Sequence, residues 1–250
     1  MFILFMFVLG IVVGSFLNVV IYRVPMKESI VLPPSHCQTC NSRLKPQDLI
    51  PIVSWIILKG RCRYCGTSVS YRYAFVEFIV GVLFVFTYIQ VGIGSELIRF
   101  LLITSLLIPI IFIDIDHFII PDQLNIFGLI LFIILNLVFS FIPWLDAVLG
   151  ATVGMVPLLV LVLLTRGNGM GLGDVKLMAM LGLFLGWELA LLSLFLSFIL
   201  GGFLGVVLLI TKVKGRKEPM PFGPWIAIAT LISMHWGDSI IKWYISIIMI

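Results

Sequence analysis

Charge is scarce in this sequence. Only 11% of its 250 residues are Asp, Glu, Lys or Arg, where a soluble domain of this size carries roughly a quarter. That shortage excludes an ordinary soluble protein. No Lys or Arg precedes the first apolar run, Phe2 to Tyr22, and no small-residue cleavage site follows it. The run therefore reads as a retained helix and not as a removed signal peptide. No internal repeat, low-complexity segment or glycine-rich nucleotide fingerprint occurs. Histidine is limited to His36, His117 and His235. His36 and His235 read as incidental, and His117 as an accessory proton carrier at most.

What fills the chain is hydrocarbon. Hydrophobic residues make up 61% of it, in runs long enough to cross a ~30 Å apolar layer, which takes about 20 helical residues. The expected fold is an all-α polytopic membrane protein with about eight transmembrane helices and a small cytosolic loop domain. The helices are expected near residues 2–22, 75–94, 97–116, 124–142, 147–165, 175–187, 188–211 and 223–245. A break or kink is expected at Gly186-Trp187-Glu188.

Basic residues are unevenly placed. Arg23, Lys27, Arg43, Lys45, Lys59, Arg61, Arg63 and Arg72 fall between the first two apolar runs, and Lys212, Lys214, Arg216 and Lys217 cluster near the end. Only Arg99 and Lys242 fall near the opposite helix ends. The positive-inside rule puts both basic segments in the cytoplasm and the N-terminus outside. Anionic lipid is a sufficient partner for this charge, and no nucleic-acid role is expected.

The loop between these runs holds every cysteine, as Cys37-Gln38-Thr39-Cys40 and Cys62-Arg63-Tyr64-Cys65. Two Cys-x-x-Cys pairs at this separation match a four-thiolate zinc site, which would be structural because it is coordinatively closed. Disulfides or free thiols are the alternatives, and a cytosolic loop disfavours the former. The expected organisation is a first helix (1–22), a zinc-binding domain (23–74) and a membrane-embedded catalytic domain (75–250).

Within the apolar runs the acids stand out. Asp174, in Gly171-Leu172-Gly173-Asp174-Val175-Lys176, lies at a helix start, where it could be a cap or a functional acid. Asp114 lies deepest in the turn Asp114-Ile115-Asp116-His117-Phe118-Ile119-Ile120-Pro121-Asp122, which Pro121 is expected to terminate. Asp116 and Asp122 could be solvated or capping. Glu77, just inside the second helix, reads as a capping or snorkelling acid or as one facing a polar interior. Gly10 and Gly14, with Ser15 and Asn18, suggest close helix packing. Asp114 and Asp174 face the same side on the helix count. Two such carboxylates can cut a peptide bond, one protonated to polarise the carbonyl and one ionised to activate water. The helix-end dipoles suggest Asp174 as base and Asp114 as acid. A transporter would show inverted repeats and acids nearer mid-span. A prenyltransferase would need a second acidic cluster for Mg²⁺.

The blocks and their order resemble the type IV prepilin peptidases, membrane aspartic proteases of the Gly-x-Gly-Asp class. They are Gly14-Ser15-Phe16-Leu17-Asn18-Val19-Val20-Ile21-Tyr22-Arg23, both cysteine pairs, Tyr73-Ala74-Phe75-Val76-Glu77, Asp114 with Ile120-Pro121-Asp122, Gly171 to Lys176, and Pro221-Phe222-Gly223-Pro224. The resemblance implies that Asp114 and Asp174 are catalytic, with Asp116 and Asp122 supporting. Gly171, Gly173 and Glu77 are taken as supporting residues too, with Lys176, which could orient Asp174, bind a substrate carbonyl or simply snorkel. It implies prepilin and pseudopilin substrates, cut after a glycine at the cytoplasmic membrane face of a bacterium. It also implies methylation of the new N-terminus in many members, with S-adenosylmethionine as donor. One departure is Leu49 before Ile50-Pro51, where the family often has Asn.

Overall fold

In hydrocarbon, every backbone N–H and C=O must find its partner within the segment or in a closed barrel. Leu-, Ile-, Val- and Phe-rich runs here meet that demand as helices. A computed structural model describes residues 1–167, 169–211 and 220–248; the basic cluster at Lys212, Lys214, Arg216 and Lys217 lies outside the described residues. In chain order the helices are α1 (Phe2–Arg23), a 3₁₀ turn (Pro46–Leu49), α2 (Val53–Ile57), α3 (Arg72–Val91) and α4 (Ser95–His117). Then come α5 (Asp122–Phe139), α6 (Trp144–Thr165), α7 (Leu172–Ile210) and α8 (Gly223–Ile248). Among the described residues no strand forms, and the bridges His36–Arg43 and Arg61–Ser68 are isolated.

Six helices, α1 and α3 to α7, are long and apolar enough to cross a membrane. The chain is a multi-pass membrane protein. The expected break near Gly186 is present: α7 runs for 39 residues, but Gly186 has φ 74°, ψ 174°, which is not helical. Asp146 Oδ1 accepts the N–H of Trp187 at 3.1 Å and so caps the second half. Counting α7 as two, the long helices follow the expected segments in order. α8 is not among the six apolar spans, because His235, Asp238 and Lys242 dilute its hydrocarbon.

Two expectations need correction. Pro121 does not end the third span. α4 stops at His117, and Phe118 (φ 55°) turns the chain while its N–H bonds Asp114 O at 2.9 Å. Pro121 instead precedes α5 as its N-cap, so Asp122 is the first helical residue and not the cap. α3 begins at Arg72, earlier than expected, which sets Glu77 a full turn inside it.

The chain forms two compact units, Met1–Pro109 and Ile110–Ile250. In the first, α1 packs on α3. A Cβ at Gly10 would lie 2.7 Å from Gly81 Cα, and one at Gly14 would lie 2.8 Å from Glu77 Cα. The glycine pair thus serves close packing. Asn18 donates its amide to Tyr73 O at 3.0 Å, and the buried Arg23 guanidinium clamps Ser29 O and Pro33 O at 2.9 and 2.8 Å. Glu77 is buried, and its Oε2 accepts the N–H of Ile52 at 2.7 Å. Ile52 has φ 62°, ψ −50°, and Val53 N–H bonds Pro51 O at 2.6 Å around it. That is a γ-turn of the strained hand, unusual for a β-branched residue. Glu77 therefore neither snorkels nor caps: it anchors the loop. In the second unit α6, α5 and α8 all pack on α7. Gly150 and Gly182 meet backbone to backbone, and Phe132 of α5 meets Phe184 of α7 edge-on at 5.2 Å.

Candidate active site and metal centre

The second unit gathers the motif acids. Asp174 falls at the third residue of α7, where its Oδ2 accepts the N–H of Gly171 at 3.3 Å. Gly171 is the N-cap and Asp174 the third helical residue, so Asp174 is not the cap itself: it reaches back to the N–H of the cap and remains buried. Asp114, also buried, sits one turn before the end of α4, and its Oδ2 accepts the N–H of Gly223 at 2.9 Å. The two carboxylates are electrostatic neighbours.

Ile120 holds the surrounding backbone in register. A Cβ at Gly173 would meet Ile120 Cβ at 3.2 Å, and one at Gly223 would meet Ile120 Cδ1 at 3.2 Å and Asp114 Oδ2 at 2.7 Å. Glycine at 173 and 223 lets two chain turns close on this one side chain. The Pro221-Phe222-Gly223-Pro224 block thereby gains a role that its sequence did not reveal, as donor to Asp114. Lys176 Nζ bonds Asp122 Oδ1 at 2.7 Å, with both side chains exposed, and does not bond Asp174. Asp116 is exposed. Glu77 belongs to the first unit and is bound as described above.

The first unit carries the thiols. Cys37, Cys40, Cys62 and Cys65 bring their sulfurs within 4.8 Å of one another, and all four are free of disulfides. The Cys37 and Cys65 sulfurs, from different pairs, are 3.8 Å apart. Four sulfurs about 2.3 Å from a tetrahedral ion would be separated by about 3.8 Å. The donors therefore fit a metal ion. The two knuckles are built alike: Cys37 N–H bonds Ser42 O and Cys62 N–H bonds Thr67 O, at 3.0 and 2.8 Å. Each has a left-handed residue after its second cysteine, Asn41 (φ 54°) and Gly66 (φ 72°).

Electrostatics in the knuckles suit thiolates. The amides of Cys40 and Thr39 pull the Cys37 thiol down to about 6, and the Thr67 hydroxyl and amide lower that of Cys65. At Cys62 the amides of Cys65 and Tyr64 act downward, but burial and bonds shared with Cys37 and Cys65 leave the thiol above its usual value. Asp48, on the 3₁₀ turn, holds the second knuckle. Its side chain is 3% exposed and bonds Arg63 Nε at 2.6 Å and the Tyr64 hydroxyl at 2.8 Å. Burial opposes its charge, but Arg63, Tyr64 and the Lys45 amide outweigh this and hold the carboxyl below the usual range.

Residues 8–91 match the bacterial peptidase A24 N-terminal domain, and residues 101–206 match the type IV leader peptidase family. The chain is 37% identical to a prepilin leader peptidase/N-methyltransferase of Aeromonas salmonicida, over 97% of this chain and 94% of that one. The chain belongs to the type IV leader peptidase family. It is therefore a membrane peptidase. A protein of the same name from Bacillus subtilis is 35% identical over 96% of both chains; one from Myxococcus xanthus is 39% identical over 88% of this chain and 66% of its own. No solved structure matches the chain.

Proposed function

We propose that the chain removes the leader peptides of type IV prepilins and pseudopilins by aspartic protease chemistry, with Asp114 and Asp174 as the catalytic pair. The observation that carries this is the joining of two buried motif carboxylates in one unit, each fixed by a main-chain N–H. One carboxyl, protonated, polarises the scissile carbonyl, and the other, ionised, takes a proton from the attacking water. The shared proton then passes to the leaving amine. Gly171, Gly173 and Gly223 shape the backbone around the acids, while Asp116, Asp122 and Lys176 lie at the rim.

The positive-inside rule applied to the basic loop supports a cytoplasmic active site in a bacterial membrane, with the N-terminus outside. The apolar helix of the substrate would lie among the spans with its basic leader in the cytosol. Zinc is the ion that best suits four thiolates in a closed site. It would staple residues 23–74, a loop with little core of its own. The relatives' name pairs peptidase with N-methyltransferase, and we extend the second activity to this chain, with S-adenosylmethionine as donor. No residue is assigned to that donor.

Cleavage of a co-expressed prepilin by wild type, Asp114→Asn and Asp174→Asn, read by mass spectrometry, tests the reading. Loss of cleavage in both variants at normal membrane levels is expected, and full cleavage by either would sink the two-aspartate mechanism. The same spectra show whether the new N-terminus gains a methyl group.

A further inference from the structure

α5 carries two buried asparagines that are treated differently. Asn136 is 2% exposed, and both ends of its amide are used: Nδ2 donates to Ile142 O, and Oδ1 accepts from Ile142 N, each at 3.0 Å. It ties down the turn after α5. Asn125 is 6% exposed, yet among the described residues neither its Oδ1 nor its Nδ2 has a hydrogen-bond partner, and both atoms are buried. Buried polar groups are paired as a rule, because an unmade bond there forfeits hydration without return. Among the described residues the hydroxyls of Thr104 and Ser233 also lack partners, but a hydroxyl on a helix can rotate toward a preceding carbonyl. A planar carboxamide has no such escape: it needs an acceptor and a donor from elsewhere.

Its position says what could supply them. Asp122 and Phe132, on the same stripe of α5 as Asn125, both meet α7, at Lys176 and Phe184. Asn125 therefore lies on the face turned toward the helix that begins with Asp174. It sits about 4.5 Å in from the start of α5, and Asp114 sits about 4.5 Å in from the end of α4. The two ends are joined through Ile120, the residue that also packs against Gly173 and Gly223.

We propose that Asn125 is a substrate-binding residue of the peptidase: its carboxamide pairs with the main chain of the bound leader near the scissile bond. Oδ1 accepts a peptide N–H and Nδ2 donates to a peptide C=O. This rests on the peptidase reading above. A peptide bond at the start of an apolar helix must be unwound before two carboxylates can work on it. The N–H and C=O groups so released lie in a poorly hydrated place and need partners. A carboxamide offers one acceptor and one donor in a single plane, the complement of the peptide itself.

The test uses the full chain purified in detergent, with a purified prepilin as substrate, and the variants Asn125→Leu and Asn125→Ala. Removing the amide costs the enzyme its bonds to substrate but relieves the free protein of a buried unpaired group. For Asn125→Leu the expected result is a fall in kcat/KM of about 10- to 100-fold, carried mainly by KM. Its Tm should be unchanged or higher. For Asn125→Ala a similar kinetic loss is expected, with any fall in Tm confined to the cavity. Unchanged kcat/KM in both variants overturns the proposal. So does a Tm that drops for Asn125→Leu, which would reveal a structural partner. A wild-type chain that leaves the prepilin uncut would remove the peptidase reading too, whereas wild-type cleavage with unaffected variants removes only the role of Asn125.

Discussion

Asp114 Oδ2 lies 2.9 Å from the main-chain nitrogen of Gly223, a residue far along the chain, and the space beside that glycine is filled by the same oxygen. A methyl group there would come within 2.7 Å of Oδ2. Gly223→Ala should push the carboxylate aside without removing it. Displacements of about 1 Å at a reacting group cost on the order of 100-fold. Prepilin cleavage should fall by about that factor at normal membrane levels, and cleavage near the wild-type rate would show that Asp114 tolerates the shift.

Lys176 presents the opposite case. It stands two residues from Asp174, but its ammonium is spent on Asp122 at 2.7 Å, in the open. Exposed ion pairs contribute about 0–1 kcal/mol. Lys176→Gln should therefore change kcat/KM by less than about 5-fold. A loss comparable to that of Asp174→Asn would place the lysine in the chemistry.

These two neighbours illustrate what the sequence could and could not convey. Hydropathy located the spans because each must be apolar along its length. Cysteine spacing revealed the thiol cluster because a knuckle is a local structure. Asp114 and Asp174 stood out because carboxylates are costly among such residues. What escaped were long-range partners: Gly223 for Asp114, Ile52 for Glu77, and, among the described residues, the lack of any for Asn125. No local pattern marks a backbone amide that will be used by a side chain from another helix. Pro121 is ambiguous in the sequence for a related reason, since proline both ends helices and begins them, and only the left-handed Phe118 decides between these.

The thiols give a pH-dependent prediction. Alkylation consumes the thiolate, which predominates above the pKa. With metal stripped by a chelator, Cys37, held at about 6, should react with iodoacetamide from about pH 6 upward. Cys65, also lowered, should label ahead of Cys62, whose thiol is raised. Peptide mapping by mass spectrometry across pH 5 to about 9 reads the order. Metal bound to all four sulfurs should protect every site until acid protonates the ligands. Labelling of Cys62 before Cys37 in the stripped protein would contradict the electrostatic picture of the knuckles.

The break in α7 sets up a final comparison, this time of stability. Gly186 has φ 74° and ψ 174°, a region that only glycine enters readily. A Cβ there would also strike Asp146 Oδ2 at 2.5 Å. Asp146 is itself the cap of the second half of α7, through Trp187 N–H at 3.1 Å. Asp146→Ala should remove one cap, about 1 kcal/mol. Gly186→Ala should cost more, because it adds about 1–3 kcal/mol of backbone strain to the displacement of the same carboxylate. Because both substitutions disturb one contact, the double variant should be less destabilised than the sum of the two. Thermal unfolding in detergent measures all three. If Gly186→Ala melts with the wild type, α7 can run straight through this point, and the two halves would be one helix after all.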